Sequence, residues 1–299
     1  MINSFYVKTQ LGEELTVELR RPELSGFLVR FIDGLDPTKA DIEMTQMAMM
    51  NGAVFNSSRS GSRNIVISLE YKGDVETMRR ASYQFFPLRE RVTLRFFSNT
   101  RSAEVFGYIE SNKQQIFSKG CGCLISVQCP SSFLHALENQ RTDFSAVESL
   151  FEFPFSNESL TENLIEFSEL QINPEKTIFY EGDAERGVVL YIHALGIIEM
   201  LAIHNVETNE SMVIDTDRLE LLTGGPFDTG DDIIISTVEG QKYAKLVRDG
   251  VETNIMNCLE RDPDWFELHK GNNPFTYTAD VGESNVQLTI EADIVYEGI

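Results

Sequence analysis

Along most of the chain apolar and polar residues alternate with a period of two, the mark of strands with one buried face. Leu15/Val17/Leu19, Val92/Leu94/Phe96, Ile125/Val127/Cys129 and Leu288/Ile290 are clear cases. Ile65-Val66-Ile67-Ser68-Leu69 is a nearly unbroken apolar run, which predicts a strand buried on both faces. Val286–Ile290 and Ile294–Tyr296 predict two last strands. Turn residues punctuate these runs at Asp33-Gly34, Asn51-Gly52, Thr223-Gly224-Gly225-Pro226, Asp249-Gly250 and Gly271-Asn272-Asn273-Pro274. One segment, 74–86, predicts a helix. Asp74 caps it, Val75/Met78/Ser82/Phe85 share a face, and Pro87 follows the last turn.

The alternation breaks over 131–150, where Glu138-Asn139-Gln140-Arg141-Thr142-Asp143 reads as an inter-domain connector. A second unit then opens at Phe151-Glu152-Phe153-Pro154-Phe155 and shows short strands at sandwich-like spacing. The expected fold is mainly β. Residues 1–140 form an α+β half, one helix on a small antiparallel barrel or sheet, and 141–299 form a β-sandwich.

Charge sharpens this division. The 299 residues carry 25 Lys+Arg against 47 Asp+Glu, a net charge of −22. Residues 1–140 hold 16 basic and 15 acidic groups, so nearly the whole excess falls on 141–299. Such a field repels phosphate and anionic lipid, so direct nucleic-acid or membrane binding is not expected. With 42% apolar residues the chain can fill a core. No stretch approaches the roughly 18 uninterrupted apolar residues that span a bilayer. Met1–Phe5 carries no basic region before an apolar run, so no secretory leader is expected, and the chain is expected to be made in a cytoplasm and to be soluble there.

Candidate chemistry is thin. Cys121, Cys123 and Cys129 share strand parity, and with Cys258 they lack zinc-type spacing, so buried thiols are expected. His135, His193, His204 and His269 form no ligand or nucleophile motif. Asp215-Thr216-Asp217 and Asp228-Thr229-Gly230-Asp231-Asp232 could offer oxygens to calcium, but no closing Glu follows, and turns on an acidic face explain both. No carboxylate spacing singles out a glycosidase pair. Trp265-Phe266 with Phe275 and Tyr277 could make a sugar-stacking platform, but filling a sandwich core is the favoured role. No catalytic, cofactor-binding or metal residue is assigned, and no cofactor is expected. Met44, Met47, Met49 and Met50 cluster before Asn51-Gly52 and fit an adaptable contact surface better than a core strand.

The chain becomes specific at Gly34-Leu35-Asp36-Pro37, followed by Asn51-Gly52-Ala53-Val54-Phe55-Asn56-Ser57-Ser58-Arg59 and Arg63-Asn64-Ile65-Val66-Ile67. With the helix at 74–86, a hairpin including Phe106–Ser111 and Phe117-Ser118-Lys119, and a strand ending Val127-Gln128-Cys129-Pro130, it resembles the distal tail proteins of long-tailed phages with non-contractile tails. Phe151–Phe155, the Gly182-Asp183 and Gly187 turn, Ala194-Leu195-Gly196, Gly230–Thr237 and Gly271-Asn272-Asn273 fit that family's galectin-like sandwich. The resemblance implies a virion protein, not an enzyme, that forms a hexameric ring at the tail tip. Residues 1–140 would stack on the tail-tube protein, and 141–299 would hold the tail-tip hub, baseplate or receptor-binding proteins. Arg59/Arg63 and Arg89/Arg91/Arg95 would pair with acidic neighbours within such a ring. The alternative is a carbohydrate-binding adhesin acting through the C-terminal sandwich.

Overall fold

A computed structural model describes residues 2–48, 51–115, 117, 120–149 and 168–299. The sequence readings at Met49, Met50, Ser118, Lys119 and Phe151–Phe155 fall outside them. The fold is mostly antiparallel β with few helices. The chain divides into two compact units, residues 1–138 with 295–299 and residues 139–294.

The first unit runs β1 (Ile2–Thr9), β2 (Glu14–Glu18), α1 (Pro22–Ser25), β3 (Phe27–Asp33), β4 (Ala40–Thr45), β5 (Val54–Ser60), β6 (Arg63–Tyr71), α2 (Val75–Phe85), β7 (Arg91–Ser98), β8 (Ser102–Gln115), β9 (Gly122–Cys129) and β10 (Leu134–Ala136). Its main sheet has the order β2-β1-β7-β8-β9-β6-β3, so its path is open, with β2 and β3 at the ends. The period-two pattern sets one face inward: Phe5, Val7, Leu94, Phe96, Ile65, Ile67, Ile125 and Val127 are buried. The run at 65–69 is less enclosed than its composition implies. Its outward position Ser68 is buried, but Val66 is half-exposed, because α2 covers only part of that face.

α2 begins where the sequence places it, with the Asp74 carboxylate accepting the Thr77 N–H at 2.9 Å. Val75 is exposed, and Ser82 is the residue this helix buries. The contact beneath it is polar. Tyr71 donates to Gln114 and Ser82, and Asn112 donates to the Ser82 carbonyl at 3.1 Å.

The terminal strand Val295–Tyr296 returns to this unit and pairs antiparallel with β10, Leu134 opposite Tyr296 and His135 opposite Val295. β10 also pairs with β8.

The second unit continues with β11 (Gln140–Asp143), β12 (Ser145–Ser149), β13 (Ser168–Ile172), β14 (Glu175–Tyr180), β15 (Arg186–Ala194), β16 (Leu201–Asn205), β17 (Glu210–Ile214), α3 (Thr216–Thr223), β18 (Asp232–Ser236), β19 (Tyr243–Arg248), β20 (Val251–Asn254), β21 (Glu267–Leu268), β22 (Gly271–Thr278) and β23 (Val286–Ala292); Val295–Tyr296 is β24. Sheets β11-β23-β15-β18-β19-β20 and β14-β22-β16-β17 turn their apolar faces into one core. Leu190, Ile233, Leu246 and Ile290 come from the first sheet, and Ile203, Met212, Phe275 and Tyr277 from the second.

Three expectations change here. The span read as a connector contains β10, β11 and β12, whose polar side chains conceal edge strands. Gly271–Pro274 is not a turn but the start of β22. Asn273 is fully buried there and bonds the His269 N–H at 2.9 Å and the His269 carbonyl at 2.8 Å. Asp215-Thr216-Asp217 opens a helix, α3, with the Asp215 carboxylate accepting the Arg218 N–H at 3.0 Å and left-handed Gly224 closing it.

Candidate interaction surface

β4 and β5 form a two-stranded hairpin outside the main sheet, and all their residues are exposed. The register is Ala40↔Ser60, Asp41↔Arg59, Ile42↔Ser58, Glu43↔Ser57, then Met44↔Phe55 after a bulge. Alternation along β4 therefore puts Ile42, Met44 and the facing Phe55 on one side. The other side is polar, with Arg59 3.2 Å from Asp41 and Ser57 3.4 Å from Glu43. Ile42, Met44 and Phe55 are 53%, 58% and 59% exposed, and Met47 beyond the strand is 53% exposed. The ribbon has the amphipathic pattern of a packed element, with nothing among the described residues packed on its apolar side. A lone two-stranded hairpin is marginal in water, so a partner surface is the natural source of its stability.

The root of the hairpin is rigid. Gly34 turns with φ +86°, and a Cβ there would sit 2.0 Å from the Asn64 carbonyl oxygen, so glycine is required. The Arg63 side chain is buried and all five of its N–H donors are used. Nη1 donates to the Gly34 and Asp36 carbonyls at 2.6 and 2.8 Å. Nε and Nη2 donate to the Ser132 carbonyl at 3.1 and 2.7 Å, and Nη2 also to Glu297 at 2.6 Å. Arg63 was expected to pair with acids. Instead it binds backbone oxygens, and burial pushes its pKa down. The Ile299 N–H donates to the Leu35 carbonyl at 3.2 Å, fastening the C-terminal residues to the same turn.

The other arginines stay near the surface. Arg95 meets Glu104 at 2.6 Å, while Arg91 lies over the Phe106 ring at 4.4 Å. Cys123 and Cys129 are buried thiols of β9, pushed up by burial to about 11 and about 12, and Cys258 is also buried. His193 Nδ1 lies 2.7 Å from Asp232, and His269 Nδ1 lies 3.0 Å from Glu185. Asp231 is not part of a solvated acidic face. It is 5% exposed and takes both Nε and Nη2 of Arg248, at 2.8 and 2.5 Å. Among the described residues no group of three or more His, Cys, Asp or Glu is gathered for a metal ion. The aromatic platform does not form: Phe266, Phe275 and Tyr277 are fully buried, and Phe266 meets Phe275 edge-on at 5.5 Å. Trp265 is half-buried beneath the Lys242 ammonium, 5.0 Å from its ring centre.

No protein-family model and no curated protein sequence matches the chain. Among solved structures it is similar to the SPP1 Dit (gp 19.1) protein, described as a paradigm of the hub adsorption apparatus in phages infecting Gram-positive bacteria. The TM-score is 0.62 at 12% identity, over 97% of this chain and 98% of that one. A chain of the phage P2 baseplate, in its activated conformation with Ca, aligns end to end at 9% identity with a TM-score of 0.49. The first match shows that the chain has the fold of the SPP1 Dit protein.

Proposed function

We propose that this chain is a structural virion protein that forms a ring at the distal end of a phage tail and joins the tail tube to the baseplate, tail-tip hub and host-binding proteins. The observation that carries the reading is the coreless hairpin β4–β5, whose Ile42/Met44/Phe55 side has no packing partner among the described residues. The fold shared with the SPP1 Dit protein over nearly the whole length supports it. In this reading the hairpin apolar side seats on a different surface of the next copy, a head-to-tail contact that closes as a ring. The ring is hexameric, residues 1–140 supply the tube-like contact, and 141–299 form a galectin-like sandwich that holds baseplate or receptor-binding proteins. The role is non-catalytic and uses no cofactor.

Light scattering and negative-stain imaging of the full chain test it. A six-fold ring, alone or on assembled tail-tube protein, is the expected result. A strict monomer at high concentration and low salt that also fails to join tail-tube protein overturns it.

A further inference from the structure

The tip of the β4–β5 hairpin carries chemistry of its own. Past the last ladder pair, Thr45 opposite Val54, the chain turns through Asn51-Gly52, and both residues are exposed. Gly52 has φ +102°, and nothing lies within 4 Å of where a Cβ would stand. No hydrogen bond among the described residues engages Asn51 or the Gly52 N–H. A side-chain amide thus stands next to a backbone nitrogen that is unshielded, on a glycine free to swing that nitrogen inward.

The arrangement occurs once. Every other asparagine in the chain is followed by a residue with a side chain. The least hindered of these, Asn3-Ser4 and Asn56-Ser57, lie inside strands, where ladder pairing holds the backbone. Their amides are also engaged: Asn3 donates to Asn99 at 2.7 Å and Asn56 to Thr45 at 2.6 Å. The surroundings give the tip a further property. Residues 44–58 contain no Asp, Glu, Lys or Arg, although 24% of the whole chain is charged. A carboxylate created at position 51 is therefore the first charge on that stretch.

We propose that Asn51-Gly52 is a site of spontaneous deamidation, and that the carboxylate it creates takes aged chains out of the hairpin contact. The chemistry needs only water and hydroxide. The Gly52 backbone nitrogen gives its proton to hydroxide and attacks Asn51 Cγ. The new N–Cγ bond closes a five-membered imide as the Cγ–Nδ2 bond breaks and ammonia leaves. Water then opens the imide. Opening at Cγ restores the normal main chain with an aspartyl side chain, and opening at the backbone carbonyl routes the main chain through Cγ as an isoaspartyl residue. Either way, one amide and one water become one carboxylate and one ammonium ion. The effect on assembly rests on the ring reading, since a carboxylate pressed against an apolar partner surface loses its hydration with no cation to pair it. The modification itself rests on the tip alone.

The test incubates the full chain at neutral and at mildly alkaline pH and maps its asparagines by peptide mass spectrometry. Exchange of NH for O should accumulate first on the Asn51 peptide, with an isoaspartyl isomer of the same mass eluting separately, and faster at the higher pH. This ranking needs no variant. Gly52→Ala should nearly remove the conversion, because its methyl group hinders the attacking nitrogen, and Asn51→Ser should remove it with no change in melting temperature. Aged chain, separated from fresh chain by its added negative charge on anion exchange, should lose assembly in light scattering. Freshly made Asn51→Asp should show the same loss, while Asn51→Ser assembles as the parent does. Conversion no faster at Asn51 than at Asn3 or Asn56, or unchanged in Gly52→Ala, overturns the modification site. Aged chain that assembles as fresh chain does overturns the effect on the contact. Fresh parent that never assembles removes the ring reading and that effect with it, while the mass map alone decides the modification.

Discussion

Arg63 shows how much one side chain can hold. A buried guanidinium is tolerated only when every donor is matched, and here the partners are backbone oxygens of three separate segments, 34–36, 132 and 297. Arg63→Met leaves four carbonyls without their donor at ~1–3 kcal/mol for each group left unmade. Partial rehydration reduces the total, so a loss of about 3–5 kcal/mol is expected, read as a lower urea midpoint. Arg63→Lys should recover only part of it, since an ammonium has three donors and no planar fork. Nothing in the sequence marks this role, because an Arg opening a strand looks like any surface cation until the turn at Gly34 and the C-terminal residues are placed around it. The thiols give a second expectation at this scale. Burial raises Cys123 to about 11 and Cys129 to about 12, so in the folded chain they stay protonated where the unfolded chain already ionises. Their contribution is complete below about pH 8.5 and is lost as pH rises towards 11–12, with a limiting slope of about 1.4 kcal/mol per pH unit per thiol. Urea midpoints at pH 8 and pH 10.5 should show this fall, and Cys123→Ala should reduce its slope.

Among the elements, α2 was legible because its cap, apolar face and stopping proline all lie in local sequence. α3 was not, because of Leu219, Leu221 and Leu222 only Leu219 is buried, and the two-turn helix shows no stripe. Its ends are nonetheless written in Asp215, which caps it, and in left-handed Gly224, which closes it. Asp215→Ala should cost about 1 kcal/mol, measured by thermal melting, and would confirm that this aspartate caps a helix. The hairpin was legible only as an oddity, a methionine cluster where the alternation carries no core. Its apolar side emerges from the register, since the bulge after Glu43 sets Phe55 rather than Asn56 opposite Met44. Replacing Met44 and Phe55 together by aspartate should change stability by less than about 0.5 kcal/mol, as at other exposed positions. The same change should abolish the proposed ring assembly in light scattering. Assembly that persists would move the self-contact away from this hairpin.

At the scale of the whole molecule, the decisive feature is that the chain leaves the first unit after β10 and comes back as β24. Those two strands are antiparallel neighbours, His135 opposite Val295. In chain order the second unit is therefore inserted between two paired strands of the first. The return cannot be read from the charge pattern, since Val295-Tyr296 is an ordinary two-residue apolar step whose partner lies far away in sequence. Joining Glu138 to Val295 through a short Gly/Ser linker should thus yield a folded first unit, because β24, the Glu297 carbonyl and the Ile299–Leu35 bond are all retained. Residues 1–138 alone lose all three, together with the Tyr296 ring that Arg101 covers at 4.5 Å. They should melt at least several degrees lower, or not fold cooperatively. Calorimetry of the two forms side by side separates these outcomes. Equal melting would mean that the five returning residues only decorate the first unit, and that Arg63 finds water where the structure gives it Glu297.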